Sequence, residues 1–165
     1  MENLKRKNLT IVNAEIMYKN FAGREEGKYN PAGNRNFCLI IPAEYVDQLK
    51  DDGWNVKQTK QRDPEDDPKY YIQVAVKYGN PRYPTRITVE TANEGKRKVF
   101  SESEIGALDW AEIVRIDKIV VRPRVWDDNG RERIKAYLKS MKVVIDDEDY
   151  EDMDEVDIDD DDMPF

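Results

Sequence analysis

Arg122-Pro123-Arg124-Val125-Trp126-Asp127-Asp128-Asn129-Gly130-Arg131-Glu132-Arg133-Ile134-Lys135-Ala136-Tyr137-Leu138-Lys139 reads as two strands folded about a turn. Asp127 to Gly130 is the strongest hairpin signal in the chain. On the outgoing strand Arg131, Arg133, Lys135, Tyr137 and Lys139 fall at alternate positions and so share one face, while Ile134, Ala136 and Leu138 take the other. On the incoming strand Arg122, Arg124 and Trp126 share a face, opposite Pro123 and Val125. If the strands pair, the two polar faces merge into one cationic, ring-bearing patch.

The pattern continues outward. Ile113 to Trp126 is rich in Ile and Val, and Glu132 to Ile145 alternates. Asn8 to Tyr18 sets Val12, Ala14, Ile16 and Tyr18 at a spacing of two, and Asn36 to Ile41 is a short apolar run after the turn-forming Asn30 to Asn34. Tyr70 to Tyr78 and Arg86 to Thr91 read as hairpin partners across Asn80-Pro81-Arg82-Tyr83-Pro84. Pro42 to Asp52 reads as one short helix ending at Gly53, Ser103 to Trp110 as a second helical turn weakened by Gly106, and Asp51 to Lys69 as an excursion loop with a strand near Trp54. The expected fold is mainly β: a small OB-fold-like antiparallel barrel with one or two short helices.

Charge divides the chain. Thirteen of its 35 carboxylates lie between Asp146 and Phe165, which holds no Lys or Arg, leaving 22 acids against 27 bases in residues 1–145. The expected organisation is therefore a basic domain, 1–145, of net +5, and a disordered acidic tail, 146–165. The lone Cys38 lies in an apolar run and reads as a small buried hydrophobe in a reducing compartment. No stretch reaches the roughly 18 apolar residues of a membrane span, and the charged start lacks a secretory signal's apolar region. A soluble, cytoplasmic protein is expected.

The chain has no histidine, so the commonest general acid or base near neutral pH is missing. It also lacks Cys and His clusters for zinc, a P-loop and a dinucleotide fingerprint, so a non-enzyme without cofactor or metal is expected. The positive signal is basic residues interleaved with aromatics, which suits single-stranded nucleic acid: cations follow phosphates and rings stack on unpaired bases. Two loops extend the candidate set, one through Lys19, Phe21, Arg24, Lys28, Tyr29 and Arg35, the other through Lys77, Tyr78, Arg82, Tyr83 and Arg86. The bland alternative is a solvated sheet face with tyrosines in the core.

The terminus Asp159-Asp160-Asp161-Asp162-Met163-Pro164-Phe165 resembles the tip of bacterial single-stranded DNA-binding proteins, an acidic run closed by Ile-Pro-Phe, with Met163 in place of isoleucine. Acidic tails ending in an aromatic are likewise known in bacteriophage single-stranded DNA-binding proteins. The bacterial family's N-terminal barrel motifs and its long Gly, Gln and Pro-rich linker are absent, so the resemblance is to a divergent phage type. It implies DNA binding in replication, recombination or repair, in the host cytoplasm if phage-encoded. It also gives Phe165 a pocket on a partner enzyme, with Asp159 to Asp162, Met163 and Pro164 beside it. Oligomeric state is left open. A rival reading makes the protein an acidic DNA mimic or inhibitor of a host nucleic-acid-binding protein, and a third makes it a structural virion protein.

Overall fold

The structure, a computed structural model, describes residues 7–24, 33–60, 63–65 and 67–153. Among them nine strands form: β1 (Leu9–Ala14), β2 (Ile16–Asn20), β3 (Arg35–Ile41), β4 (Lys57–Gln58), β5 (Tyr70–Val76), β6 (Arg86–Thr91), β7 (Arg97–Phe100), β8 (Ile113–Asp128) and β9 (Arg131–Ile145). Helix α1 (Ala43–Asp51) follows β3, and a 3-10 turn (Ile105–Asp109) precedes β8. Both fall where helical signals stand in the sequence.

The long hairpin is the spine. β8 and β9 pair antiparallel from Asp128↔Arg131 to Ile113↔Ile145, and Asn129 (φ 54°) with Gly130 (φ 86°) makes the two-residue loop with both φ angles positive. The sheet runs β1-β8-β9-β5-β3-β2, with β6 on β9 beyond β5, β7 on β6 and β4 on β5. β1 and β2 stand at opposite ends of that path, yet only Glu15 separates them in the chain. The sheet must therefore curl until its ends approach, which gives an open half-barrel.

Three expectations change. Tyr70–Tyr78 and Arg86–Thr91 are not hairpin partners: β5 and β6 each run parallel to β9, at Val74↔Ala136 and from Arg86↔Ser140 to Thr91↔Ile145, and β6 forms its hairpin with β7. Asn8–Tyr18 is not one strand with Val12, Ala14, Ile16 and Tyr18 on one face, because the chain changes partner at Glu15; Leu9 and Ile11 are buried and Val12 and Tyr18 are exposed. The alternation along β9 also breaks. Val121 faces Leu138 and Val120 faces Ser140, so Lys139 is an extra residue in a bulge. Buried positions pass from Ile134, Ala136 and Leu138 to Met141, Val143 and Ile145. Lys139 is exposed but does not continue the face of Arg131 to Tyr137.

The core fills the curl with Phe37, Leu39, Ile72, Val74, Ile119 and Val143, closed by Val46 and Leu49 of α1 and by Ile105 and Leu108 of the 3-10 turn. Cys38 is buried, and burial pushes its thiol pKa up.

The folded body does not stop at Ile145. Residues 147–153 are helical (α2), Asp146 caps them by accepting the Glu148 N–H at 2.9 Å, and Tyr150 and Met153 join the core. The Asp147 carboxylate accepts the N–H groups of Asn93 (2.8 Å) and Glu94 (3.0 Å), Asp149 accepts that of Glu112 (2.8 Å), and Glu151 pairs with Lys96 at 2.7 Å. This acidic segment is a latch across the β6–β7 turn and the start of β8. The remaining tail, with Asp159 to Phe165, lies outside the described residues.

Candidate nucleic-acid interface

Pairing between β8 and β9 turns two sequence patterns into one surface. Trp126 stands opposite Arg133, Arg124 opposite Lys135 and Arg122 opposite Tyr137, and residues directly opposite share a face. The result is a three-rung ladder of cations and rings. Trp126 is 46% exposed, whereas Tyr137 is only 8% exposed and lies outside the apolar core. Its cover is polar: Arg122 lies 5.1 Å and Lys135 5.5 Å from its ring centre. Burial opposes ionisation of the Tyr137 phenol, but the Arg124 hydrogen bond and the charges of Lys135, Lys77 and Arg124 outweigh it and hold the pKa below that of an ordinary phenol.

Two clefts flank the ladder and meet at Lys77. The larger, about 610 Å³, runs between the hairpin tip and the edge formed by β3, β5 and the α1–β4 connection. Arg35, Lys50, Lys77, Arg131, Arg133 and Lys135 line it; among the described lining residues Glu132 is the one carboxylate, and Asp128 beside the cleft pairs with Arg133 at 2.7 Å. The smaller, about 390 Å³, lies under the 77–85 loop and is lined by Tyr83, Arg122 and Tyr137 among others. Thr85 pins that loop's stem, donating to Lys77 O (2.8 Å) and Leu138 O (3.2 Å).

The positive field is thus local. With α2 folded on, seven of the 35 acids lie beyond residue 153, so 28 acids face 27 bases in the body and its net charge is −1 rather than the expected +5. The latch carboxylates gather beyond Ile145, nine residues of strand, about 30 Å, from Ala136 in the cleft. Separation along one hairpin keeps the ladder cationic.

Of the first candidate loop, Lys19, Phe21 and Arg24 are engaged within the fold. Phe21 is fully buried and packs on Phe37 at 5.5 Å, so it is not a free stacking ring. Lys19 donates to Ala111 O at 3.1 Å, and burial lowers its pKa. Arg24 approaches Asp109 at 3.7 Å, and Asp109 also accepts the N–H groups of Phe21 and Ala22. These contacts fasten the exit of β2 to the 3-10 turn. Lys28 and Tyr29 lie outside the described residues. Arg35 does reach the large cleft, held at 3.0 Å by Glu102.

In the second loop Lys77, Tyr78 and Tyr83 line the small cleft, Arg82 rests on the Tyr83 ring at 5.5 Å, and Arg86 is exposed at the start of β6. The Tyr78 hydroxyl is buried without a hydrogen-bond partner among the described residues. Burial is the main cause that pushes its pKa up to about 12, with Glu102 adding and Arg35 opposing.

A family model for a phage ssDNA-binding domain matches residues 1–163. The chain belongs to that family. Among solved structures, the single-stranded DNA-binding protein of bacteriophage Enc34 in complex with ssDNA is 15% identical, with a TM-score of 0.51, covering 89% of this chain and 94% of that one. A C-terminal truncation of the Enc34 protein is 14% identical, also with a TM-score of 0.51, covering 85% of this chain and 86% of that one. At such identities the likeness is one of fold, the curled OB-like half-barrel. No curated protein matches the chain.

For this member of the phage ssDNA-binding domain family, the sequence reading missed the far wall of the large cleft: Lys50, Trp54 and Gln73. Lys50 carries the cation at the end of α1, and Trp54 bridges to Ile134. The Trp54 indole N–H is buried without a partner among the described residues. Gln73 had a readable signal, a polar residue alternating with Ile72 and Val74, so it points away from the core. Nothing in the local pattern tied Lys50 or Trp54 to the hairpin, because that proximity comes from the parallel pairing of β5 with β9.

Proposed function

We propose that this protein binds single-stranded DNA with little sequence preference, without catalysis, along the tip half of β8 and β9. One observation carries the reading: Trp126–Arg133, Arg124–Lys135 and Arg122–Tyr137 stand as paired rungs on the face away from the core. Unpaired strands offer evenly spaced phosphates and free base faces, which such rungs match; duplex DNA keeps its base faces stacked away. Family membership and the Enc34 fold likeness support the same reading.

In this reading the protein covers exposed strands during replication, recombination or repair in the host cytoplasm. Residues up to 153 form the DNA-binding body. The acidic run beyond them, closed by Asp159 to Asp162, Met163, Pro164 and Phe165, recruits partner enzymes by seating Phe165 in an apolar pocket rimmed with basic residues.

Fluorescence titration tests the DNA half. Oligo-dT should quench tryptophan emission, with affinity falling as salt rises, and duplex of equal length should bind far more weakly. Preference for duplex sinks the reading. For the tail, Phe165→Ala should leave oligo-dT binding intact while abolishing co-purification of host replication or repair enzymes.

A further inference from the structure

The guanidinium of Arg122 lies between two tyrosine rings, its Cζ 4.1 Å from the centre of Tyr83 and 5.1 Å from that of Tyr137. Among the described residues no carboxylate pairs with Arg122, and Arg124 and Lys135 stand on the neighbouring rung. The rings therefore hold it.

The two rings have different supports. Tyr137 is fixed on β9, directly across from Arg122. Tyr83 hangs from the 77–85 loop and is 41% exposed. That loop is fastened at its stem by Thr85 and braced by Asn80, whose side-chain oxygen accepts the Arg82 N–H (3.0 Å) and whose main-chain oxygen accepts the Tyr83 N–H (3.2 Å). Gly79 has φ +91°, a conformation that lets the chain turn sharply between stem and tip. Tyr83 thus reaches Arg122 from a loop, and Tyr137 reaches it from the sheet.

The dimensions suit a larger plane than a guanidinium. With Cζ at 4.1 Å and 5.1 Å from the two ring centres, those centres are at most 9.2 Å apart, the total of the two distances. A base stacked at about 3.4 Å from each ring needs about 7 Å, which lies within that bound. A guanidinium is flat and cationic and lies on an aromatic face as a base does. It keeps the slot filled when no strand is bound, and it is held more weakly than a stacked base.

We propose that Arg122 is a placeholder in a two-tyrosine base slot. One nucleobase of the bound strand displaces it and stacks between Tyr83 and Tyr137, and the released guanidinium takes an adjacent phosphate. The slot rests on the single-stranded DNA reading and adds to it an exchange within the protein, in which a residue that covers a ring in the free form becomes a phosphate contact in the bound form.

Affinities of the full chain for oligo-dT and for an abasic oligonucleotide of equal length, at fixed salt, test this. The wild type should prefer oligo-dT by about tenfold or more. Tyr83→Leu should bring the ratio towards one, and this exposed position puts the fold at little risk. Arg122→Ala should keep or widen the ratio while making the salt dependence shallower. In NMR, the Arg122 side-chain N–H signal should leave its ring-shifted position on adding oligo-dT but not on adding the abasic strand. An unchanged ratio in Tyr83→Leu, or a ratio of one in Arg122→Ala, overturns the slot. Equal wild-type affinity for both oligonucleotides removes the slot alone, whereas no binding to either removes the DNA reading and the slot with it.

Discussion

The two halves of the β8–β9 hairpin are made from the same pair of strands and have opposite characters. In the base half, Ile116, Ile119, Val121, Leu138, Met141, Val143 and Ile145 are all buried. β1 flanks that half along Leu9↔Val121 to Ala14↔Ile116, and β6 flanks it along Ser140 to Ile145. In the tip half, the described pairing of β1 has ended, and β9 meets β5 only at Ala136 and Tyr137. Where flanking strands stop, one face loses its burden of packing, and long cations with rings take over. The bulge at Lys139 lies at the boundary and switches which side chains point inward. Binding is thus built as an overhang from a stable base, and each half should fail in its own way.

The largest difference should come from the latch at the base. Removing residues 146–165 takes Tyr150 and Met153 from the core as well as the caps made by Asp147 and Asp149. Those two side chains alone are worth about 3–6 kcal/mol. Removing only residues 154–165 spares them. Urea denaturation should show the longer deletion less stable than the shorter by at least that burial term. Equal midpoints would mean that α2 contributes nothing to the body.

A second comparison crosses the two halves directly. Ile119→Ala, fully buried in the base, should cost about 2–5 kcal/mol of stability and leave the oligo-dT affinity of the folded protein unchanged. Arg124→Ala combined with Lys135→Ala, on exposed rungs of the tip, should shift stability by less than about 1 kcal/mol. That double variant should instead weaken oligo-dT binding and flatten log K against log salt by about 1.4, two phosphate contacts' worth. Stability loss in the tip variant, or an unchanged salt slope, would erase the division of labour.

The tip was the more readable half because everything that shapes it is local. Asp127 to Gly130 encodes its loop, and period-two alternation encodes its face as far as Tyr137. The base depends on partners distant in sequence. Nothing in Tyr70–Tyr78 or Arg86–Thr91 states that each pairs with β9 rather than with the other. Lys139 gives no local sign of being the extra residue. Ring exposure is equally non-local: Phe21 and Tyr83 sit in comparable polar loops, yet one is core and the other hangs over the ladder. The latch did leave a trace. Asp146 is a good helix cap, acids fill the first turn, and Tyr150 and Met153 stand three apart on one helical face, a signal masked by the density of negative charge.

That masking also suggests the smallest test, through pH. The hydrogen bond from the Asn93 N–H, aided by Glu94, Thr91 and Lys96 and opposed by desolvation, holds the Asp147 carboxyl below its ordinary pKa. A carboxylate lowered on folding stabilises the folded state above the unfolded value, about 3.9, and that contribution is lost as pH falls through the lower folded value. Hydrogen bonds from Arg97 to Glu90 and from Arg115 to Asp117 hold those carboxyls down as well, so acid should destabilise the whole protein. The informative quantity is therefore a difference. Asp147→Asn removes one titration and leaves the others shared, so the gap in urea midpoint between wild type and variant should be open at pH 7 and narrow as pH falls through the lowered folded value. The Arg124→Ala, Lys135→Ala protein, altered only in groups that stay charged throughout that range, should run parallel to wild type. A constant gap for Asp147→Asn would show that the side chain contributes by shape and neutral hydrogen bonding rather than by charge, beside the burial of Tyr150 and Met153 and the contacts of Asp149 and Glu151.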